Sequence, residues 1–323
     1  MDSPWVLAVA TIVLVAAAAI LLCLVKRVDR RAEKNVSLHV AARQDRPDTA
    51  RALLDQGATV NARDMGLRTP LHWACTLARP EMAELLLQHG AEVNARDERE
   101  RTPLHWAARY GSTRAAALLL ESGAEVDAVN SVEWTPLFTA VSQGHVEVAE
   151  LLLERGAKVN RWDRQGDRAL HWAARCGHHE AAELLVDRGA EVSARNEKGN
   201  TPLHWAARFN HSEIVRLLLD CRAEINARNR QDQTPLHWAS ILAGREVTEL
   251  LVMRGADINA RDEDGNTPLH WAARFGHRDV AQALLDHAAD VNARNNSGAT
   301  PLSMVSTTRL TMIPLLRRAG GTR

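Results

Sequence analysis

The stretch TPLHWAARFGH occupies residues 267–277, and its first six letters, TPLHWA, also occur at residues 69, 102, 201 and 234. The threonine of this stretch, or the residue that replaces it, recurs every 33 residues along the rest of the chain. The nine positions are Val36, Thr69, Thr102, Thr135, Arg168, Thr201, Thr234, Thr267 and Thr300. A fixed period of this length is typical of a repeat protein in which each unit is one supersecondary element.

Each unit carries the signals of two short helices. Thr102 offers an N-cap hydroxyl, and Pro103 fixes φ at the first helical position. A second apolar run follows a polar turn and stops at a glycine suited to a left-handed C-cap, as at Gly123. In two units this glycine is replaced, by Arg222 and by Ala288. An extended stretch and a tight turn then lead into the next unit.

With its 33-residue unit and its T-P-L-H-x-A motif, the chain resembles the ankyrin repeat family. The resemblance covers residues 36–323 and implies an all-α solenoid of about nine helix-turn-helix units with β-hairpin fingers. A single helix pair cannot bury its own apolar face, so each unit folds against its neighbours. The resemblance also implies that partners bind at the finger tips and at the concave end of the first helix of each pair.

The beginning of the chain has a different character. After a leader of residues 1–4, Trp5–Val25 contains 21 residues without a charge, enough to cross a bilayer as one helix. A basic linker, residues 26–35, follows this run. The positive-inside rule therefore places the linker and the repeats on the cytoplasmic side of the membrane. We therefore expect a single-pass membrane anchor that remains attached. The alternative is a cleaved leader and exported repeats, but residues 1–4 lack a basic residue and the apolar run is long for a signal peptide.

Histidine occupies the fourth position of the motif in seven units. These residues are His39, His72, His105, His171, His204, His237 and His270. Histidines in stacked repeats form a row about 10 Å apart, too far for one metal ion to be shared between them. In proteins that resemble ankyrin repeats, this histidine belongs to the hydrogen-bond network between fingers and helices. We therefore expect a structural role and no metal site.

A tryptophan follows the histidine in six units, at Trp73, Trp106, Trp172, Trp205, Trp238 and Trp271. One interpretation is aromatic filling between stacked units, because a tryptophan ring buries a large apolar area. The other is a partly exposed aromatic row on the concave face. No phosphate-binding loop, nucleophile motif or paired catalytic carboxylate is present, so we predict neither an enzyme nor a cofactor.

The most specific candidate for a partner site lies where the repeat pattern changes. Most fingers carry an arginine near the tip, but Val129 replaces it in one finger and Trp162 replaces it in the next. Val132 and Trp134 add two more apolar residues to the first of these fingers. Neighbouring exposed apolar side chains are typical of an interaction patch, and tryptophan is frequent at binding hot spots. The alternative is that Trp134 and Trp162 fold onto their own fingers.

Arginine provides a second candidate surface. One row follows the fingers and comprises Arg63, Arg96, Arg195, Arg228, Arg261 and Arg294. Another follows the first helices, with Arg109 and its neighbour Tyr110, Arg175, Arg208 and Arg274. If both rows face the same side, they form a basic track for an acidic protein or for lipid headgroups, although the chain has 40 basic and 40 acidic residues. The alternative is that these arginines have no specific role, since Asp or Asn adjoins each of them and this combination is common in the family.

These patterns predict a monomeric scaffold or adaptor anchored in a membrane. It would bind protein partners and no nucleic acid, because the net charge is zero. Besides the exported form, a passive architectural spacer without a fixed partner remains an alternative.

Overall fold

The computed structural model describes residues 27–322 except 29, 31, 77–79, 243, 307, 308 and 310. The predicted leader 1–4 and membrane span Trp5–Val25 lie outside the described residues. Among the residues that are described, no helix is both long and apolar enough to cross a membrane.

The described chain is a succession of short helices. In chain order they are α1 (32–43), α2 (Pro47–Asp55), α3 (Pro70–Ala74), α4 (Glu81–Gln88), α5 (Pro103–Tyr110), α6 (Thr113–Glu121), α7 (Pro136–Gln143), α8 (Val146–Glu154), α9 (Ala169–Cys176), α10 (His179–Asp187), α11 (Pro202–Arg208), α12 (Ser212–Asp220), α13 (Pro235–Ile241), α14 (Arg245–Met253), α15 (Pro268–Phe275), α16 (Arg278–Asp286) and α17 (Met312–Arg318). A 3₁₀ helix, Pro301–Met304, replaces the first helix of the last repeat. Odd-numbered helices up to α15 are the first helices of their pairs.

The first helix of the first repeat begins earlier in the chain than the predicted start of the repeats. Residues 27, 28 and 30 are already helical, and α1 is continuous from residue 32. The predicted division between linker and repeats at residues 35 and 36 therefore falls inside a helix. The described residues of 27–35 are helical, although the equivalent residues of later repeats form a finger.

The capping residues explain why the first helices are short. Thr102 precedes α5 in an extended conformation, with φ −90° and ψ 166°, and Pro103 occupies the first helical position. The helix ends at Gly111, whose φ of 68° is left-handed. The second helices end before the predicted left-handed position, which Arg222 and Ala288 occupy with φ values of 63° and 65°. A residue with a side chain is strained in this conformation.

The chain divides into two compact units, Met1–Glu125 and Val126–Arg323. Within each unit, consecutive first helices pack against one another, and so do consecutive second helices. Fully buried alanines such as Ala107 and Ala206 let the helices approach closely, while leucines such as Leu119 and Leu218 fill the space between them. The core is therefore a layer between helices of neighbouring repeats, as the repeat pattern predicts.

The fingers are hairpin-like turns, and the prediction of β-hairpins is wrong in this respect. The only strand-type pairing in the described part of the chain is an isolated bridge between Trp162 and Arg168. The reason is that a side chain competes for the backbone donors. In one finger, Asp97 Oδ1 accepts the backbone N–H groups of Arg99 and Arg101, both at 2.9 Å, so these groups do not form a ladder.

Asparagine side chains join neighbouring repeats beneath the fingers. Asn94 Oδ1 accepts the backbone N–H of Glu125 at 2.9 Å, and its Nδ2 donates to the carbonyl of Gly123 at 3.3 Å. Asn61 makes the same two contacts with Glu92 and Gly90. Each asparagine thereby satisfies polar backbone groups just beyond the end of the next second helix.

Candidate functional site

The recurring histidine connects each first helix to the following finger. Nδ1 of His204 accepts the backbone N–H of Thr201 at 3.1 Å and lies 2.9 Å from the Thr201 hydroxyl. Its Nε2 donates to the carbonyl of Gln233, 29 residues later, at 3.0 Å. The ring is therefore neutral, and burial lowers its pKa to about 4. The same contacts with backbone groups occur at His72, His171, His237 and His270.

These contacts confirm the structural role predicted for the histidine. Another histidine, in the polar turn between helices, links repeats in the opposite direction: Nε2 of His178 donates to the carbonyl of Ser142 at 3.2 Å. His211 and His277 make the equivalent bond to Arg175 and Ile241. In the described part of the chain, no group of three or more His, Cys, Asp or Glu side chains is placed to hold a metal ion.

The tryptophan row is fixed by a contact that was not predicted. The indole N–H of Trp106 donates to Asp97 Oδ2 at 3.0 Å, and the Arg101 side chain donates to the same oxygen at 2.8 Å. The same donation, over nine residues, joins Trp73 to Asp64, Trp172 to Asp163 and Trp271 to Asp262. The carboxylate thus organises its own turn with one oxygen and positions an indole with the other. The nine-residue spacing of Asp and Trp was the available signal in the sequence.

The tryptophan rings mainly fill space between repeats. Trp106 and Trp238 are buried, and the other four rings are half-buried. Trp205 and Trp238 meet edge to face with ring centroids 5.2 Å apart, as do Trp73 and Trp106 at 5.3 Å. The row therefore fills space between repeats, as the first interpretation predicts, while part of Trp73, Trp172, Trp205 and Trp271 still reaches solvent.

The four apolar residues predicted as a partner patch have different surroundings. Trp134 is half-buried: its indole N–H donates to Asp163 Oδ2 at 3.2 Å, and its ring packs on Trp172 with centroids 4.5 Å apart. By contrast, the Trp162 side chain is 61% exposed and Val132 is 44% exposed. Trp134 thus folds onto the next finger, while Trp162 and Val132 remain largely exposed.

An open groove of about 630 Å³ lies beside Trp162. The groove is lined by Val129, Glu133, Lys158, Asn160, Arg161 and Trp162. Glu133 is within 3.8 Å of the Arg164 guanidinium. Among the described residues, no carboxylate forms an ion pair with Lys158 or Arg161. The groove therefore combines an apolar floor with a rim of net positive charge.

The arginines of the first helices lie on the tryptophan row. The guanidinium of Arg175 is 4.9 Å from the ring centroids of both Trp172 and Trp205. Arg208 and Arg274 lie 5.1 Å and 5.3 Å from the rings of Trp238 and Trp271. In the described part of the chain, none of these three arginines forms a direct ion pair with a carboxylate, although the charge of Arg175 acts on Asp167 at longer range. Cation–π contact holds the charges in place without neutralising them.

In the other unit, Arg109 and Tyr110 lie at the end of α5, and both are exposed. The Tyr110 ring is 5.9 Å from that of Trp106. The aromatic row therefore continues to the surface at this point.

The finger arginines act along the row of fingers. Nη1 of Arg228 donates to the carbonyl of Arg261 at 2.8 Å, and Arg261 donates in the same way to Arg294. Arg63 likewise reaches the carbonyl of Arg96 at 2.8 Å. These bonds join the tip of one finger to the next, so this row has a structural role that its sequence alone did not reveal.

Comparison with known proteins identifies the repeat. The family model described as "Ankyrin repeats (3 copies)" matches residues 38–130, 123–196, 190–262 and 243–320. The human ASB11 ankyrin repeat domain, a crystal structure, is similar with 30% sequence identity and a TM-score of 0.63. The similarity covers 69% of this chain and 100% of that domain. No curated protein matches the chain.

The chain belongs to the ankyrin repeat family. The predicted all-α repeat solenoid is confirmed, and the fold is typically a non-enzymatic module for protein–protein interaction.

Proposed function

We propose that the protein is a membrane-anchored scaffold that binds a protein partner through the groove beside Trp162. The exposure of this tryptophan is the observation that supports the proposal most directly. A ring with 61% of its surface in water gains little from folding and is available to desolvate a partner.

The partner's chemistry follows from the groove. Val129 and Trp162 favour an apolar side chain, while Lys158 and Arg161 favour a carboxylate beside it. The stacked arginines Arg175 and Arg208 extend the positive charge along the first helices of the same unit. We therefore expect a partner segment with one large apolar residue flanked by acidic residues.

The proposed anchor is Trp5–Val25, with the repeats in the cytoplasm. This part of the proposal is supported by the uncharged run of 21 residues and by the basic residues directly after it. A tether this short keeps the groove near the bilayer and raises its effective concentration for partners in the same membrane.

The groove is tested by capturing partners from solubilised membranes with the full chain and with Trp162→Ala. The control Met253→Ala removes another exposed apolar side chain, which is 76% exposed on a second helix. We expect Trp162→Ala to lose at least tenfold in partner affinity, as for a typical hot-spot residue, and Met253→Ala to bind like the wild type. Equal binding by all three proteins would refute the proposal that the partner binds at this groove.

The anchor is tested separately by membrane fractionation followed by N-terminal sequencing. An intact Met1 in the membrane pellet is expected. A soluble protein that has lost its first residues would favour the exported form instead.

A further inference from the structure

The first repeat has an apolar surface that no other part of the described chain covers. Val36 is 65% exposed and Val40 is 46% exposed on α1, and Met65 is completely exposed at the tip of the first finger. A groove of about 710 Å³ separates helix and finger, and Trp73 forms part of its wall. Among the described residues, no finger covers this side of the first repeat.

The exposed residues of α1 lie on one side of the helix. Ala32, Val36 and Val40 follow one another at intervals of four residues and therefore form a continuous stripe. Val28, four residues earlier, is also helical and exposed. This stripe is apolar although it faces solvent.

The first finger also departs from the other seven. The positions equivalent to Met65 are Glu98, Ser131, Arg164, Glu197, Arg230, Glu263 and Asn296, all of which are polar. Leu67 has a φ of 57°, and the equivalent positions hold only Gly, Asp or Glu. A leucine is strained in this left-handed conformation. Since Leu67 is 47% exposed, packing within the repeat compensates for little of that strain.

Positive charge surrounds this surface. Between residues 26 and 46 the sequence has the basic residues Lys26, Arg27, Arg30, Arg31, Lys34, Arg43 and Arg46, against the acidic residues Asp29, Glu33 and Asp45. Arg43 lies over the Trp73 ring, 5.4 Å from its centroid, at one end of the groove. An apolar stripe beside basic side chains is the pattern of a helix that rests on an anionic bilayer.

The position in the chain indicates the same ligand. The uncharged run Trp5–Val25 ends two residues before the first described residue. Resting on the proposed membrane anchor, we infer that the first repeat lies on the surface of an anionic lipid bilayer. Val36, Val40, Met65 and Leu67 enter the interfacial layer, and the neighbouring arginines contact lipid phosphates.

The experiment uses the full chain in lipid vesicles with an environment-sensitive fluorophore. The fluorophore is attached at Met65→Cys, or at Glu263→Cys as a matched control, because both residues occupy the same position of a finger. Both variants carry Cys23→Ala, Cys176→Ser and Cys221→Ser, and the remaining Cys75 is buried. Vesicles contain either neutral lipid alone or about one third anionic lipid, with quencher-labelled lipid added.

In anionic vesicles we expect lipid-borne quencher to reduce the emission at residue 65 at least twofold more than at residue 263. We also expect the difference to shrink in neutral vesicles. If the protein floats with the vesicles but both positions are quenched equally, the lipid contact is refuted while the anchor stands. Shielding of residue 65 without quenching would mean that a protein segment covers the groove, which also refutes the contact. If the protein does not float with the vesicles, the anchor and the contact both fail.

Discussion

Lowering the pH from 7.5 to 5.5 is expected to destabilise the repeats by several kcal/mol. The groups responsible are the motif histidines, whose Nδ1 accepts a backbone N–H and whose Nε2 donates to a carbonyl. Burial lowers the pKa of His72, His171 and His204 to about 4 in the folded protein, against 6.5 for an ordinary histidine. Between these two values the unfolded chain binds more protons than the folded one, so acid favours unfolding.

The magnitude follows from these values. At pH 5.5 an unfolded histidine is mostly protonated and a folded one mostly neutral, which costs roughly 1 to 2 kcal/mol per residue relative to pH 7.5. Three such residues lose about 4 kcal/mol of unfolding free energy. Asp167 acts in the opposite direction, because burial raises its pKa to about 6. It returns roughly 1 kcal/mol over the same interval, leaving a net loss of about 3 kcal/mol.

The assay is urea denaturation of the detergent-solubilised full chain, followed by far-UV circular dichroism at pH 7.5, 6.5 and 5.5. His204→Gln removes one titrating group, so the stability difference between pH 7.5 and 5.5 should shrink by roughly 1 to 2 kcal/mol in this variant. Equal stability at the two pH values would refute the assignment of neutral, buried histidines. An undiminished pH effect in His204→Gln would show that other groups are responsible.

Two further predictions concern single residues of the repeat. Arg222→Gly should raise the unfolding free energy by about 1 kcal/mol in urea titrations, because glycine adopts the left-handed conformation without strain. Gly189→Ala, whose new Cβ would meet no atom within 4 Å, should lower the unfolding free energy by a similar amount. A change of the same sign in both variants would contradict this reasoning. Asp97→Asn should cost about 2 kcal/mol, because an amide nitrogen cannot accept from the Trp106 indole and Arg101; an unchanged urea midpoint would show that this carboxylate does not position the ring.

The pKa of Asp97 depends both on its burial and on the hydrogen bonds within its turn. Burial alone would raise the pKa of this carboxyl group, but hydrogen bonds from Arg101, Trp106 and Arg99 outweigh burial and lower it. In other fingers the same position holds asparagine, as at Asn196, whose Nδ2 donates to Asp167 in the preceding finger. An Asp is suited to a finger in which Oδ2 faces hydrogen-bond donors, and an Asn to a finger in which Nδ2 faces an acceptor.

Much of the fold could be predicted because its rules are local. The 33-residue interval, the Thr102–Pro103 start and the left-handed glycines act within a few residues of one another, so they are visible in a single sequence. The structural role of the histidine was also predictable, since rings one repeat apart cannot share a metal ion. The β-hairpin was predicted wrongly, because Asp97 takes backbone donors that a strand ladder would need.

The sequence by itself determined the repeat, its helices and its apolar first segment, since period, capping residues and uncharged length are properties of neighbouring letters. Only the tertiary structure decided which side chains remain free. Trp134 and Trp162 are both apolar exceptions to the finger pattern in the sequence, yet the Trp134 ring contacts Asp163 and Trp172 in the next repeat, whereas Trp162 remains 61% exposed. Met65 lies at a finger tip, where the equivalent residues of the other fingers are exposed as well, so its apolar side chain stays in solvent. Burial depends on contacts about 30 residues away in the chain, and such contacts exist only once the repeats have stacked.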